Sequence, residues 1–277
     1  MEEAMPSHVA HALRRGLRLT LVGLALVGLA LAFGAVAPAA AQTPAPRIAA
    51  ASDLKFALDE VIAAFARETG RSVVPTYGSS GNFKTQILQG APFQLFLSAD
   101  EGFVFELDER GLTVDRGTLY GVGRIVLFAP KGANWSPDPQ LADLKAALAD
   151  GRITRFAIGN PEHAPYGRAA QEALTTSGLW DAMRPRLVFG ENVSQAAQFA
   201  ASGSTQGGIF ALSLVLAPQV AQLGTYALIP AEQHQPLRQR MVLLKGADAV
   251  SRAFYDYMQS SAARAVLKRY GFLLPGE

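Results

Sequence analysis

The stretch Ile48-Ala49-Ala50-Ala51-Ser52-Asp53-Leu54-Lys55 predicts a short buried strand that turns directly into a helix. Its leading apolar run is too short for a helix, whereas later apolar residues recur at the spacing of one helical face: Leu54, Leu58, Val61, Ile62 and Phe65. Ser52 occupies an N-cap position, and Gly70 is a typical stop. Such a helix start presents free N–H groups and a positive dipole end, which suits an anion. A capping serine that binds nothing is the simpler alternative.

Strand-like and helix-like segments alternate along the rest of the chain, which is typical of parallel sheets covered by helices on both faces. Ligands of such sheets bind beyond the carboxyl ends of the strands. Four strand-to-helix turns combine small or hydroxyl residues with a helix start: Ser52, Ser79-Ser80, Tyr166 and Val193. Because a second half, entered through the apolar strand from Arg124 to Ala129, repeats the plan, these turns predict an anion held between two lobes.

Residues 1–41 have the three-part organisation of a secretory signal peptide. Three arginines precede an apolar run from Leu19 to Val36, and Ala39-Ala40-Ala41 provides a small-residue cleavage site. We therefore expect export to the periplasm and a mature chain that begins near Gln42. A membrane anchor is the alternative, because the apolar run approaches the length of a spanning helix. The sequence leaves Sec and twin-arginine export both open.

The composition of the mature part excludes several kinds of protein. Three of the 25 basic and two of the 23 acidic residues precede residue 42, which leaves 22 basic and 21 acidic residues. This balance argues against a nucleic-acid-binding face. Cysteine is absent, so an exported chain of this kind depends on packing rather than on disulfides. The CxxC, HExxH, P-loop and GxSxG motifs are absent as well.

Eight short motifs together give the chain a resemblance to a known family. In chain order they are Ala49-Ala50-Ala51-Ser52, Gly78-Ser79-Ser80 with Gln86-Ile87, Gly90-Ala91-Pro92, Leu97-Ser98-Ala99-Asp100, Gly159-Asn160-Pro161-Glu162-His163, Ala164-Pro165-Tyr166-Gly167, Ala253-Phe254-Tyr255-Asp256-Tyr257 and Lys268-Arg269-Tyr270-Gly271-Phe272. Their order and spacing resemble the periplasmic molybdate-binding proteins of ABC importers over nearly the whole mature chain.

The resemblance implies an α/β fold of the two-lobed type II periplasmic binding protein class. Each lobe would be a mostly parallel sheet flanked by helices, with the ligand in the interlobe cleft. Two chain crossings would divide the chain into lobe 1, residues 47–123 and 238–277, and lobe 2, residues 124–237.

The resemblance also implies the ligand and the residues that bind it. In this family a dehydrated oxyanion is held by hydrogen bonds, without a countercharge and without direct metal coordination. By position, Ser52 and Ser80 would provide hydroxyl and backbone donors, with Ser79 in the same turn, and Tyr166 and Val193 would provide backbone N–H donors. The expected ligand is molybdate or tungstate, with no cofactor and no enzymatic activity. The expected partners are the permease and ATPase of an importer in the inner membrane, and the chain itself is expected to be a monomer.

Two positions depart from the family pattern. Many members place a tyrosine, whose hydroxyl reaches the anion, where this chain has Ala211, and the phenol of Tyr166 is the expected replacement. Asp53 directly follows Ser52 and is counted among the candidate ligand-binding residues. A carboxylate beside an oxyanion is repulsive unless one of them is protonated or the carboxylate points away. Asp53 is therefore a first-turn acid favoured by the helix dipole, a selector for a protonated oxyanion, or a partner of Lys55.

Three other functions remain open at this point. The ligand could be a different oxyanion, such as phosphate or phosphite. A secreted hydrolase with Ser52 or Ser80 as nucleophile is disfavoured, because no histidine lies near either serine in the predicted arrangement. A receptor subunit that binds a ligand and signals would share the same fold.

Overall fold

The computed structural model describes residues 44–276, so the predicted signal peptide, residues 1–41, and its alternative, a membrane anchor, lie outside the described residues. Within this range no helix has the length and apolarity needed to cross a bilayer. The strands form two five-stranded sheets. In chain order the strands are β1 (Arg47–Ala51), β2 (Val74–Gly78), β3 (Leu95–Ser98), β4 (Thr118–Gly123), β5 (Ile125–Pro130), β6 (Phe156–Gly159), β7 (Leu187–Gly190), β8 (Gly208–Ala211), β9 (Gly224–Leu228) and β10 (Leu237–Leu243).

Each sheet contains one strand that runs against the others. The first sheet has the order β2-β1-β3-β10-β4, in which β1 is parallel to β2 and β3 and β10 is antiparallel to both of its neighbours. The second has the order β7-β6-β8-β5-β9, in which β6 is parallel to β7 and β8 and β5 is antiparallel to both of its neighbours. The predicted two-lobed α/β fold is confirmed, with sheets that are mixed.

The chain passes between the sheets at two places. β4 ends at Gly123 and β5 begins at Ile125, so Arg124 alone joins the first sheet to the second. Residues 229–236 lead from β9 back to β10. The strands that follow the two crossings, β5 and β10, are the ones that run opposite to their neighbours. The predicted lobe boundaries, residues 47–123 with 238–277 and residues 124–237, stay a prediction.

Helices cover the sheets and begin near the carboxyl ends of the strands. A 3₁₀ turn, Ser52–Leu54, joins β1 to the first helix. The α-helices of the described part are α1 (Lys55–Thr69), α2 (Ser80–Leu88), α3 (Glu101–Glu109), α4 (Ala142–Ala149), α5 (Pro165–Thr176), α6 (Trp180–Met183), α7 (Val193–Ala201), α8 (Leu212–Val215), α9 (Pro218–Ala221), α10 (Ala249–Tyr257) and α11 (Ser261–Arg269). The turns that open α1, α2, α5 and α7 follow β1, β2, β6 and β7, which places four helix starts at strand ends.

Strand β1 is buried on both faces. Successive strand side chains point to opposite faces, so Ile48 and Ala50 belong to one apolar cluster and Ala49 to another. The first cluster includes Phe254 of α10, and the second includes Phe96 of β3. A strand covered twice is continuously apolar rather than alternating, which explains the composition of the stretch that opens the fold.

Gly167 controls how closely the start of α5 approaches β6. A Cβ atom at Gly167 would lie 2.2 Å from the carbonyl oxygen of Gly159, a backbone atom that cannot move aside easily. We predict that Gly167→Ala displaces the start of α5 and lowers the free energy of unfolding by about 1–3 kcal/mol, measured by urea denaturation.

The control is Gly102→Ala, which also lies in the first turn of a helix. A Cβ atom there would meet as its nearest neighbour only the Asp100 carboxylate, at 3.1 Å, and that side chain can adjust. Equal destabilisation of the two variants would contradict the explanation.

Candidate functional site

All six predicted site residues line one small cavity between the lobes: Ser52, Asp53, Ser79, Ser80, Tyr166 and Val193. None of them is more than 5% exposed. Buried polar atoms normally have hydrogen-bond partners, so an atom that lacks one in this cavity is a candidate contact for a ligand.

The two lobes contact each other directly around the cavity. Ser194 Oγ donates to the carbonyl oxygen of Ser52 over 2.7 Å, and Ser213 Oγ donates to the carbonyl oxygen of Asp53 over 2.8 Å. Both contacts join the turn after β1 to helix starts of the second lobe. The structure therefore shows the lobes closed around the candidate site.

Ser52 and Ser80 each keep a hydroxyl proton free. The N–H of Ser194 donates to Ser52 Oγ over 3.3 Å, and the N–H of Ala99 donates to Ser80 Oγ over 3.0 Å. Within residues 44–276 neither hydroxyl donates to a protein acceptor, so both can donate to a ligand. Ser52 also makes no side-chain cap bond, so the alternative of a simple capping serine is wrong.

Ser79 lines the same cavity but uses its hydroxyl differently. Its Oγ donates to the carbonyl oxygen of His163, and the Nδ1 atom of His163 lies 3.0 Å from the same Oγ. The N–H of Gly81 donates to that carbonyl as well, over 3.0 Å. The Ser79 hydroxyl thus joins the lobes to each other, and its proton is not available to a ligand.

Tyr166 and Val193 present backbone N–H groups without protein acceptors in the described part of the chain. Helix α5 begins at Pro165, because proline suits the first helical position. The N–H groups of the two residues after Tyr166 donate to the Ala164 carbonyl oxygen. At the start of α7, the N–H of Gln195 donates to Asn192 Oδ1 and the N–H of Ser194 donates to Ser52 Oγ. The N–H of Val193 is left without an acceptor in the described part of the chain. These are the orphan donors that every helix start carries.

Asp53 is the acid of the site. Its Oδ2 accepts a hydrogen bond from Tyr166 Oη over 2.9 Å and another from Gln239 Nε2 over 2.8 Å. Its Oδ1 is buried and has no hydrogen-bond partner. Burial raises the pKa of the Asp53 carboxyl to about 6, although the hydrogen bonds from Gln239 and Tyr166, and then the nearby backbone N–H groups of Asp53 and Leu54, act to lower it. Burial and the Asp53 charge raise the pKa of the Tyr166 phenol well above its usual range, so the phenol remains a donor.

Two expectations about these side chains are wrong. The phenol of Tyr166 was expected to reach an anion in place of a tyrosine at Ala211, but its proton is donated to Asp53. Lys55 was expected as a possible partner of Asp53, but it forms an ion pair with Asp59 one helical turn later. Helical spacing explains the second result, because side chains four residues apart, such as Lys55 and Asp59, face each other, whereas residues two apart, such as Asp53 and Lys55, do not.

Sequence reasoning missed Gln239, Tyr120 and Gly123. Tyr120 Oη donates to Gln239 Oε1 over 2.6 Å, and Gln239 Nε2 contacts Tyr166 Oη as well as Asp53. A Cβ atom at Gly123 would lie 2.1 Å from Tyr166 Oη, so glycine leaves room for that hydroxyl. The sequence signal for Gln239 is its position two residues from both Leu237 and Met241, which places a polar side chain on the buried face of a strand.

We predict that Asp53→Asn stabilises the unliganded protein near neutral pH. A carboxyl whose pKa rises from 3.8 to about 6 on folding makes its full contribution to the free energy of unfolding below about pH 4, where it is protonated in both states. That contribution is lost as the pH rises through about 6. The asparagine Oδ1 can still accept from Tyr166 and Gln239. At about pH 7.5 the free energy of unfolding should therefore exceed that of the wild type by about 3 kcal/mol. Urea denaturation at about pH 7.5 and 4.5 checks this, and a difference that does not shrink at the lower pH would contradict it.

Within residues 44–276 no group of three or more His, Cys, Asp or Glu side chains is arranged to hold a metal ion. The residues that line the cavity include no lysine, arginine or histidine. The site therefore offers hydrogen-bond donors and one acid, and its donors include two hydroxyls and two backbone N–H groups.

Comparisons with known proteins find relatives over most of the chain. The profile of a family described as bacterial extracellular solute-binding protein matches residues 46–273. The molybdate-binding protein ModA of Rhodobacter capsulatus is 37% identical over 217 residues, which are 77% of this chain and 82% of the relative. The corresponding protein of Azotobacter vinelandii is 35% identical over 237 residues, 84% of this chain and 91% of the relative.

Solved structures give the same result. The periplasmic molybdate-binding protein of Azotobacter vinelandii aligns with a TM-score of 0.74 at 33% identity, over 83% of this chain and 99% of that chain. A sulfate-binding protein of Mycobacterium tuberculosis aligns with a TM-score of 0.67 at 15% identity, over 84% of this chain and 88% of that chain, and shows the fold alone. The chain therefore belongs to the bacterial extracellular solute-binding proteins, and the molybdate-binding proteins among them are its relatives, as the sequence predicted.

Proposed function

We propose that the chain binds molybdate in the periplasm and delivers it to an ABC importer. The observation that carries this proposal is the convergence of four hydrogen-bond donors on one buried cavity: the hydroxyls of Ser52 and Ser80 and the N–H groups of Tyr166 and Val193. A tetrahedral dianion needs several short donors, and hydrogen bonds to a charged acceptor are the strong ones. The relatives named above are molybdate-binding proteins. Another relative, 30% identical over 81% of this chain, is a putative ABC transporter substrate-binding lipoprotein of Bacillus subtilis.

The chain is a binding protein of a transporter and, like its relatives, neither an enzyme nor a carrier of a cofactor. Ser79 does lie near a histidine, since its Oγ is 3.0 Å from His163 Nδ1. A nucleophilic serine would have to give its proton to that ring. Here the proton is donated to the backbone carbonyl of His163 instead, so the contact closes the lobes and activates no nucleophile.

The finer details of transport belong to the same proposal. The partners are the permease and the ATPase of an importer in the inner membrane, and the binding protein is a monomer whose ligand is molybdate or, by its nearly identical shape, tungstate. The two-lobed closure supports this, because a closed lobe pair encloses its ligand before a partner meets it.

The position of the N-terminus in protein isolated from cells tests whether the chain is exported and cleaved. We predict that mass spectrometry of protein from the cell envelope finds a soluble chain that begins near Gln42, after removal of the pattern in residues 1–41. Retention of those residues in most molecules would contradict a cleaved signal peptide.

Ligand binding is tested by thermal shift and calorimetry with molybdate, tungstate, sulfate and phosphate. Molybdate at about a thousand times its dissociation constant should stabilise the fold by about 4 kcal/mol. Ser80→Ala removes a donor to a charged ligand, worth about 1.5–3 kcal/mol, and should weaken binding about tenfold to a hundredfold.

The matched control is Ser251→Ala, a fully buried serine of the first lobe whose Oγ donates to Gln94 and which does not line the cavity. It should lower stability without changing affinity. An equal loss of affinity in both variants, or a response to sulfate as large as that to molybdate, would contradict the proposed site.

A further inference from the structure

One residue that lines the candidate cavity repels a dianion when its side chain is ionised. Asp53 is 1% exposed and lines the cavity, and its Oδ1 has no hydrogen-bond partner. Four other groups facing the same space, on Ser52, Ser80, Tyr166 and Val193, are donors. An ionised carboxylate is only an acceptor, so Asp53 and an oxyanion in this cavity would meet as two acceptors and two negative charges.

Rotation of the carboxyl group does not remove this conflict. Oδ2 already accepts from Tyr166 Oη and Gln239 Nε2, at 2.9 and 2.8 Å. Gln239 is held in turn by Tyr120 Oη, which donates to its Oε1. The Tyr120 phenol therefore fixes the orientation of the Gln239 amide. Because Tyr166 and Gln239 both donate to Oδ2, the carboxyl group cannot exchange Oδ1 and Oδ2 without losing these hydrogen bonds.

Neutral groups surround Asp53. Tyr120 and Tyr166 are the titratable side chains that face it, and burial together with the Asp53 charge raises the pKa of both phenols well above the usual range. Ser213 of α8 donates to the Asp53 carbonyl oxygen, and Ser194 of α7 contacts Ser52 next to it.

The cations of the surrounding elements are paired with other acids. Four such pairs are present: Lys55 with Asp59, Arg168 with Asp100, and Arg238 and Arg240 with Glu101. Arg124, which follows β4, makes no ion pair with Asp53 among the described residues. Within residues 44–276 Asp53 therefore has no ion-pair partner that would neutralise it when an anion enters.

From this geometry we infer that Asp53 binds the oxyanion as a neutral carboxylic acid, with its Oδ1–H donating a further hydrogen bond to the ligand. The inference rests on the proposed function, because it concerns the same cavity. When binding starts from ionised Asp53, the reaction takes up one proton from solvent. The product is protonated Asp53 with one dianion bound. The acid differs from the other four donors, since it is a donor only while it holds the proton.

The consequence is a coupling between pH and affinity. The pKa of Asp53 is about 6 without a ligand, and a bound dianion raises it further. Below that value the free site is already protonated and affinity does not depend on pH. Above it each dianion brings one proton with it, so affinity falls about tenfold for each pH unit by linkage.

Titration calorimetry with molybdate in buffers of different ionisation enthalpy counts the protons. At about pH 8 the wild type should take up about one proton per molybdate, and its affinity should be about tenfold weaker than at about pH 7. Asp53→Asn is the test variant, because its Oδ1 can accept from Tyr166 and Gln239 while its amide N–H faces the cavity. It should take up no proton, lose the pH dependence, and bind more tightly than the wild type at about pH 8.

The matched control is Asp59→Asn, the same change on α1, at a carboxyl that accepts from Tyr77 Oη over 2.6 Å and does not line the cavity. It should keep the proton uptake of the wild type. Infrared difference spectra of the wild type give a second readout that needs no variant: molybdate should produce the C=O band of a protonated carboxyl, shifted in D2O.

Tight, pH-independent molybdate binding by the wild type without proton uptake would overturn the inference and leave the proposed function intact. Proton uptake that persists in Asp53→Asn would overturn it too. Failure of the wild type to bind molybdate or tungstate at any of these pH values would overturn both the inference and the proposed function.

Discussion

The hydrogen bonds that converge on Oδ2 of Asp53 connect three segments of the chain at the cavity. Asp53 lies in the turn after β1, Tyr166 at the start of α5 in the second lobe, and Gln239 on the strand that returns from that lobe. A buried carboxylate is costly unless it is hydrogen-bonded. The Asp53 carboxylate thus joins the two lobes directly beside Ser52, in addition to the contacts made by Ser79, Ser194 and Ser213.

The polarity of the site is determined by backbone groups around it. A serine hydroxyl can donate or accept, and its sequence position does not say which. The N–H of Ala99 donates to Ser80, and the N–H of Ser194 donates to Ser52, so both hydroxyls face the cavity as donors. In Ser79 the proton is directed to His163 and the hydroxyl holds the lobes together. Neighbouring serines of one turn therefore have opposite roles.

Local sequence patterns predicted helix-covered sheets in two halves and the places where a site could form, and the family resemblance added the fold class. The apolar run before Ser52, the helical spacing after it, and the turns at Ser80, Tyr166 and Val193 all express short-range geometry. The pairing of those groups was not accessible in this way. Ser194 and Ser52 are 142 positions apart, and Gln239 and Asp53 are 186 apart. Periodicity carries no information on contacts across two chain crossings, which is why the partner of Asp53 was predicted wrongly.

The single residue between β4 and β5 has a mechanical consequence. Gly123 and Ile125 belong to different sheets, so Arg124 is a one-residue connection about which the lobes can rotate only as about a pivot. The other connection is longer and spans residues 229–236. Rotation about such a pivot displaces atoms in proportion to their distance from it. Tyr166 lies against Gly123, since a Cβ there would be 2.1 Å from its hydroxyl. Because Tyr166 lies close to this pivot, an opening rotation about it would displace the Tyr166 hydroxyl less than it displaces atoms farther from Arg124.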